Sequence, residues 1–374
     1  MAVNSIEHQE VGAEIGTTEI VKEIEKESPR YLSIDVFRGL AIVFMIFANI
    51  VAPFDNVPAW SKHALDYGFT YVDIGTPLFF VAIGLTYTMS FNKTVSKNGW
   101  FQAFLRFLRR YAALYGMGAI GAIYFFTKNG ILFSWGVLQA IGLAGIFTLF
   151  FIKFNRWIRM SIGIGCLAVY QYVLTIPIKI RSDMVLFGNF QHILTVPIKT
   201  RILLGDLNLL DVHGGIIGGI GYCILLLLCT AIVDDYRKTK KWFILTCGGV
   251  FAIAGLILHI IWYYTGWPAF GGISKERVTV SYILLTVGLG AILFCLIWFI
   301  YDKKQLTRNR SILQPMGRNA ILLYILHPIF ILLTILILNV DSNVFLVMFL
   351  SVISVAILWS LAFFLDRKKF YVVI

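Results

Sequence analysis

The chain reads as long apolar runs separated by polar connections, and the length of the runs sets the fold class. A helix crossing a bilayer needs about 20 mainly apolar residues. Ten runs near that length lie at residues 34–52, 71–91, 104–126, 136–152, 157–176, 213–233, 242–264, 279–301, 317–338 and 344–365. Membrane-spanning strands would instead alternate apolar and polar positions over about ten residues, and no such alternation is present. The pattern predicts an all-α, polytopic membrane protein with about ten transmembrane helices, occupying residues 31–374. Residues 1–30 are polar and rich in glutamate, without an apolar core leading to a small-residue cleavage site. They read as an acidic cytoplasmic tail, a loose helix or disordered, and not as a signal peptide.

Composition agrees. Of 374 residues, 59% are hydrophobic and only 14% charged, with a mean hydropathy of +0.81, far from a soluble globular domain. The net charge of +12 would suit a nucleic-acid partner, but its placement follows the membrane. Lys22, Lys26 and Arg30 precede the first run; Lys93, Lys97, Arg106, Arg109 and Arg110 fall between the second and third; Lys153, Arg156 and Arg159 between the fourth and fifth. Arg237, Lys238, Lys240 and Lys241 follow the sixth, Lys303, Lys304, Arg308, Arg310 and Arg318 the eighth, and Arg367, Lys368 and Lys369 the last. Every second connection is therefore basic, which by the positive-inside rule makes both termini cytoplasmic. The connection carrying His63 then faces outward, and no nucleic acid is implied. All five cysteines lie in apolar runs without metal-ligand spacing, so they read as small core residues and no metal is expected.

Polar groups concentrate between Arg30 and Asp73, where ionisable side chains at membrane depth favour a functional reading. Asp35 and Arg38 are three apart on one helical face and could pair with each other. Asn49 is fourteen residues past Asp35, roughly 21 Å further along a helix, which places it near the outer surface and the His63 connection. Imidazole can take and return a proton near neutral pH or carry an acyl group, and a carboxylate at Asp73 could orient it. Elsewhere the signals are structural. His259 and His327 read as buried hydrogen-bonding groups, and Gly214, Gly215, Gly218, Gly219 and Gly221 as close helix packing. Trp60, Trp135, Trp262, Tyr263, Tyr264 and Trp267 form an aromatic belt at the outer ends of the runs. The connection 177–212 repeats TIPIKIR as TVPIKTR around a short apolar segment, consistent with an interfacial or re-entrant helix.

The run RYLSIDVFRGLAIVFMIFANI with SKHALDYGFTYVDIGTPLFFVAIG resembles the transmembrane heparan-α-glucosaminide N-acetyltransferase family, in its prokaryotic form. GVLQ (Gly136 to Gln139), ISKERVTVSYILLTVGLG (Ile273 to Gly290), GRNAILLYILH (Gly317 to His327) and LDRKKFYVVI (Leu365 to Ile374) follow in the family's order. The resemblance implies a multi-pass cell-membrane enzyme taking acetyl-CoA from the cytoplasm as acyl-donor substrate. Its acceptor would be an amine or hydroxyl of a sugar or glycan on the other face. It implies that His63 is the catalytic histidine, as general base or nucleophile, with Asn49 and Asp73 in support. Asp35, Arg38, Arg106, Arg109, Arg110, Gln139 and Asn319 are the candidate donor-binding residues, and a homodimer is left open. Two departures stand out: Ala140 follows Gln139 where the family commonly has arginine, and DVHGG (Asp211 to Gly215) replaces an Asp-Pro-Glu-Gly turn. No large outer acceptor-binding segment lies between the runs, so heparan itself is not implied. The competing class is a transporter or flippase, in which Asp35, Arg38 and Asp73 would be gating charges.

Overall fold

The computed structural model describes residues 31–64, 67–123, 126–127, 130–131, 135–175, 179–181, 184–185, 199–201, 206–208, 214–267, 270–304 and 311–371. The acidic tail, His213, and residues 186–194 of the apolar segment between the two PIK repeats lie outside them. The protein is an all-α bundle. Its helices in chain order are α1 (Leu32–Val51), α2 (Gly75–Asn98), α3 (Trp100–Ile123), α4 (Val137–Phe151), α5 (Arg156–Thr175), α6 (Gly215–Val233), α7 (Lys241–Thr265), α8 (Val280–Trp298), the five-residue α9 (Gln314–Arg318), α10 (Ala320–Ile337) and α11 (Val344–Arg367). A 3-10 turn, Tyr71–Ile74, leads directly into α2.

Each of the ten apolar runs holds a helix, and among the described residues eight of these helices are long and apolar enough to cross a membrane. The exceptions are α3, which carries three arginines in its first half, and α4, which has 15 residues. At about 1.5 Å per residue α4 covers only about 22 Å, short of a hydrocarbon core about 30 Å thick. Three small antiparallel hairpins sit in connections: β1 (Phe126–Thr127) with β2 (Gly130–Ile131), β3 (Lys179–Arg181) with β4 (Met184–Val185), and β5 (Lys199–Arg201) with β6 (Asp206–Asn208). The basic ends of the two PIK repeats are thus strands, each opening a hairpin.

Helix α6 is the most enclosed, whereas α7, α10 and α11 turn most of their apolar surface outward. Exposed Ile329, Leu332, Leu336, Phe345, Phe349 and Val352 on α10 and α11 suit a hydrocarbon surround, because lipid imposes no penalty on outward apolar side chains. The start of α1 is capped from a distance. Asp302 accepts from the Ser33 backbone N–H at 3.2 Å, the Ser33 hydroxyl at 2.6 Å and the Tyr236 hydroxyl at 2.9 Å, which satisfies one orphan backbone donor at the helix entry. Halfway through its first two turns α1 crosses α9 at backbone contact. A Cβ on Gly317 would lie 1.8 Å from the Asp35 carbonyl oxygen, so only glycine permits the crossing.

That crossing also decides where Asp35 goes. Its carboxylate accepts from Arg318 Nε at 3.1 Å, and Arg318 Nη1 donates to Asp366 at 2.9 Å. The local Asp35–Arg38 pair expected from helical spacing gives way to an ion pair across 283 positions of sequence, while Arg38 donates to the Thr86 hydroxyl at 2.9 Å.

Candidate active site

The connection from Ala52 to Thr70 folds back over the end of α1, held by a short turn at Ala59–Ser61 and by Asp55 N–H donating to the Val340 carbonyl at 3.0 Å. It delivers His63 to Asp73, at the entry to α2. His63 Nδ1 lies 2.8 Å from Asp73 Oδ1. Because a carboxylate accepts, Nδ1 carries the proton and Nε2 holds a free lone pair. The second carboxylate oxygen of Asp73 accepts from Thr70 N–H at 2.8 Å and Ala64 N–H at 3.3 Å, and Tyr282 donates to the Asp73 carbonyl at 2.8 Å. The Asp73 side chain is fully buried and that of His63 is 32% exposed: a fixed anion behind a reachable imidazole.

Burial pushes the His63 pKa below its ordinary 6.5, against the raising influence of the Asp73 hydrogen bond, and the positive charge of Lys275 adds to the lowering. His63 is therefore neutral at pH 7. Lys275 sits buried in the turn before α8, where desolvation pulls its ammonium down to about 8 while the negative charge of Asp73 pulls it up. This turn is tied to the His63 connection by Gly68 N–H donating to the Ile273 carbonyl at 2.8 Å.

His63 and Asn49 line one cavity of about 250 Å³, with Thr76, Trp135, Gly136 and Tyr324 among its walls. A second cavity of about 210 Å³ lies toward the other end of α1, lined by Arg38, Arg110, Tyr111 and Arg318. Val137 and Tyr324 line both. The two hollows thus adjoin at the start of the short α4, one at the Asn49 end of α1 and one at the Arg38 end.

The expected site residues divide accordingly. His63, Asn49 and Asp73 come together. Of the donor candidates, Arg38 and Arg110 line the second cavity, Arg106 and Arg109 are exposed on α3, and Asp35 is consumed by Arg318. Gln139 accepts from Gly136 N–H at 2.9 Å, and so caps α4. Asn319 donates to the Pro315 carbonyl at 3.3 Å at the junction of α9 and α10, leaving its buried side-chain oxygen without a donor among the described residues. His327 is a buried hydrogen-bonding group, 3.2 Å from Asn49. His259 is half-buried, stacked on Trp262, and accepts from Ile273 N–H at 3.2 Å. No grouping of His, Cys, Asp and Glu among the described residues could hold a metal.

Trp135 corrects the aromatic belt. It is 2% exposed and walls the His63 cavity, because α4 starts inside the bundle rather than at its surface; Trp60, Tyr263, Tyr264 and Trp267 are exposed as a belt requires. Sequence reasoning also passed over Tyr324, Lys275 and Thr76. For Lys275 a signal existed: a cation four residues before an apolar run, inside the ISKERVTVSYILLTVGLG motif. Tyr324 and Thr76 also lie inside quoted motifs, GRNAILLYILH and SKHALDYGFTYVDIGTPLFFVAIG, but as uncharged residues of apolar helices nothing else set them apart.

Residues 30–192 match the family model described as heparan-alpha-glucosaminide N-acetyltransferase, catalytic. The match takes in Asp35, Arg38, Asn49, His63, Asp73 and Gln139; the motifs around Lys275, Gly317 and the C-terminus lie beyond it. No curated protein is a significant match to the chain. Over residues 30–192, somewhat less than half of its length, the chain is similar to the catalytic region of the heparan-alpha-glucosaminide N-acetyltransferase family.

Proposed function

We propose that this protein carries an acetyl group across the bilayer, from cytoplasmic acetyl-CoA to an amine or hydroxyl of a sugar or glycan on the far side. The single observation that carries the reading is the pair of adjoining cavities, one lined by arginines and one by His63 and Asn49, sharing Val137 and Tyr324. Acetyl-CoA has a polyanionic head and a long, slender arm ending in the thioester. Arg38, Arg110 and Arg318 suit phosphate oxygens, since guanidinium binds them through paired, charge-assisted hydrogen bonds. The arm would pass Val137 and Tyr324 and bring the thioester to His63.

Neutral His63, with Nδ1–H held by Asp73, offers Nε2 for either of two routes. As a general base it takes the proton of the acceptor while the acceptor attacks the thioester carbonyl and the coenzyme A thiolate leaves. As a nucleophile its Nε2 attacks the carbonyl itself and expels the coenzyme A thiolate, forming an acetyl-imidazole; the acceptor then attacks that carbonyl, the C–N bond to the imidazole breaks, and the freed Nε2 takes the acceptor's proton. Asn49 supplies an N–H to the carbonyl oxygen as negative charge develops there, a contribution of about 3 kcal/mol where such donors are preorganised. A trapped acetyl-enzyme separates the routes.

The test is coenzyme A release from acetyl-CoA by purified protein, with and without glucosamine-like amines. Acceptor-dependent release by the native chain that vanishes in His63→Ala supports the reading. A folded protein that neither binds nor turns over acetyl-CoA removes it and leaves transport as the leading function.

A further inference from the structure

Helix α10 contains His327 followed by Pro328, and the pair has a consequence for Asn49. Proline has no N–H, so the carbonyl four residues back loses its helical partner. That carbonyl belongs to Tyr324, and His327 Nδ1 is hydrogen-bonded to it. A carbonyl only accepts, so Nδ1 bears the proton and the neutral ring presents Nε2 as a bare lone pair. Opposite Nε2, at 3.2 Å, stands Asn49 Nδ2. The amide must donate to the ring; turned over, its oxygen would meet the lone pair of Nε2 in a repulsive contact. His327 is 5% exposed and is absent from the walls of the His63 cavity, whereas Asn49 is one of them.

We infer that His327, locked as its Nδ1–H tautomer by the carbonyl that Pro328 leaves free, is a positioning residue that fixes the orientation of the Asn49 amide in the His63 cavity. It touches no reacting atom. One N–H of Asn49 is committed to His327, so the second N–H and the oxygen each face a defined direction, and the amide cannot present acceptor and donor interchangeably to a bound thioester. Three positions serve one geometry: Pro328 frees the carbonyl, Tyr324 supplies it, and His327 transmits the choice. The inference rests on the acetyl-transfer reading of the cavity.

The test is a double-mutant cycle in purified protein with Asn49→Ala, His327→Leu and both together, with His327→Gln and Pro328→Ala as further variants. A residue acting only through its neighbour has no effect once the neighbour is gone. His327→Leu is expected to lower kcat about 100-fold, the scale of misplacing a group at a reacting centre, with little change in KM for acetyl-CoA. In the Asn49→Ala background the same change should cost nothing further. Glutamine at 327 can still place a carbonyl oxygen against Asn49 and should restore much of the loss. Pro328→Ala returns an N–H to Tyr324 and should lower kcat while both side chains remain. Additive losses in the cycle, or a kcat in His327→Gln as poor as in His327→Leu, overturn the inference while leaving acetyl transfer intact. If the native protein has no acetyltransferase activity, the functional reading fails separately. The cycle is then read in melting temperatures, where additivity overturns the Asn49–His327 lock and coupling supports it.

Discussion

The two cavities that adjoin at Tyr324 are built from opposite chemistry. At the His63 cavity, the charge is already answered: Asp73 is buried with His63, Thr70 and Ala64 all donating to it, and what remains on offer is the lone pair of His63 Nε2. At the other, arginines line the walls: Arg318 is paired with Asp35 and Asp366 and Arg38 donates to Thr86, while one donor of Arg110 is left over. Arg110 Nε is buried without an acceptor among the described residues, and Arg38 and Arg110 share the same walls with Arg318. A buried donor left unsatisfied costs about 1–3 kcal/mol, a debt that a bound anion would cancel. On the proposed reading one end acts on a reagent and the other holds one, so their substitutions should fail in different kinetic constants.

The largest effect that can break this division is His63→Ala, which should cost about 1,000-fold or more in acetyl transfer, as loss of a nucleophile or its base does, while acetyl-CoA binding measured by calorimetry survives. Asp73→Asn comes next. It keeps the shape but replaces an acceptor with a group able to donate, so His63 loses its preferred tautomer, and kcat should fall about 100-fold or more; an unchanged kcat would show that the carboxylate only caps the turn before α2. Arg110→Ala should sharpen the contrast by raising KM for acetyl-CoA about 10-fold, the worth of one charge-assisted contact, with kcat within about twofold. A matching fall in kcat would place Arg110 in the chemistry instead. The smallest effect is that of pH. His63 acts neutral and its pKa lies below 6.5, so kcat/KM should be level as pH falls from 7.5 toward 6.5 and decline only as the imidazole takes up a proton below that. A decline already centred above 6.5 would mean that the dyad holds its proton more tightly than the buried geometry implies.

Much of the fold was legible because apolar run length maps directly onto helix length. The bounds of α1, α6 and α8 needed only hydropathy. What escaped was anything set by distant partners. Helical spacing allowed Asp35 to pair with Arg38 on its own helix, yet Gly39 and Gly317 let α9 approach so closely that Arg318 takes the carboxylate instead. Trp135 looked interfacial because it precedes an apolar run, and only the shortness of α4 hints that this run begins within the bundle. Among the arginines of α3, spacing alone could not say that Arg110 turns inward while Arg106 and Arg109 stay exposed. His63 and Asp73 were readable as candidates from their residue types and the family motif; the 2.8 Å between them depends on how the connection folds over α1.

The central claim is that the adjoining cavities form one route across the bilayer, and sided proteoliposomes test it most directly. An amino-sugar acceptor is trapped inside vesicles and radiolabelled acetyl-CoA is added outside, with the basic connections oriented outward. The account predicts labelled N- or O-acetylated sugar in the lumen, none with His63→Ala, and coenzyme A remaining outside. Product that forms only when donor and acceptor share one side would contradict it, since the two cavities would then be separate hollows and not a passage.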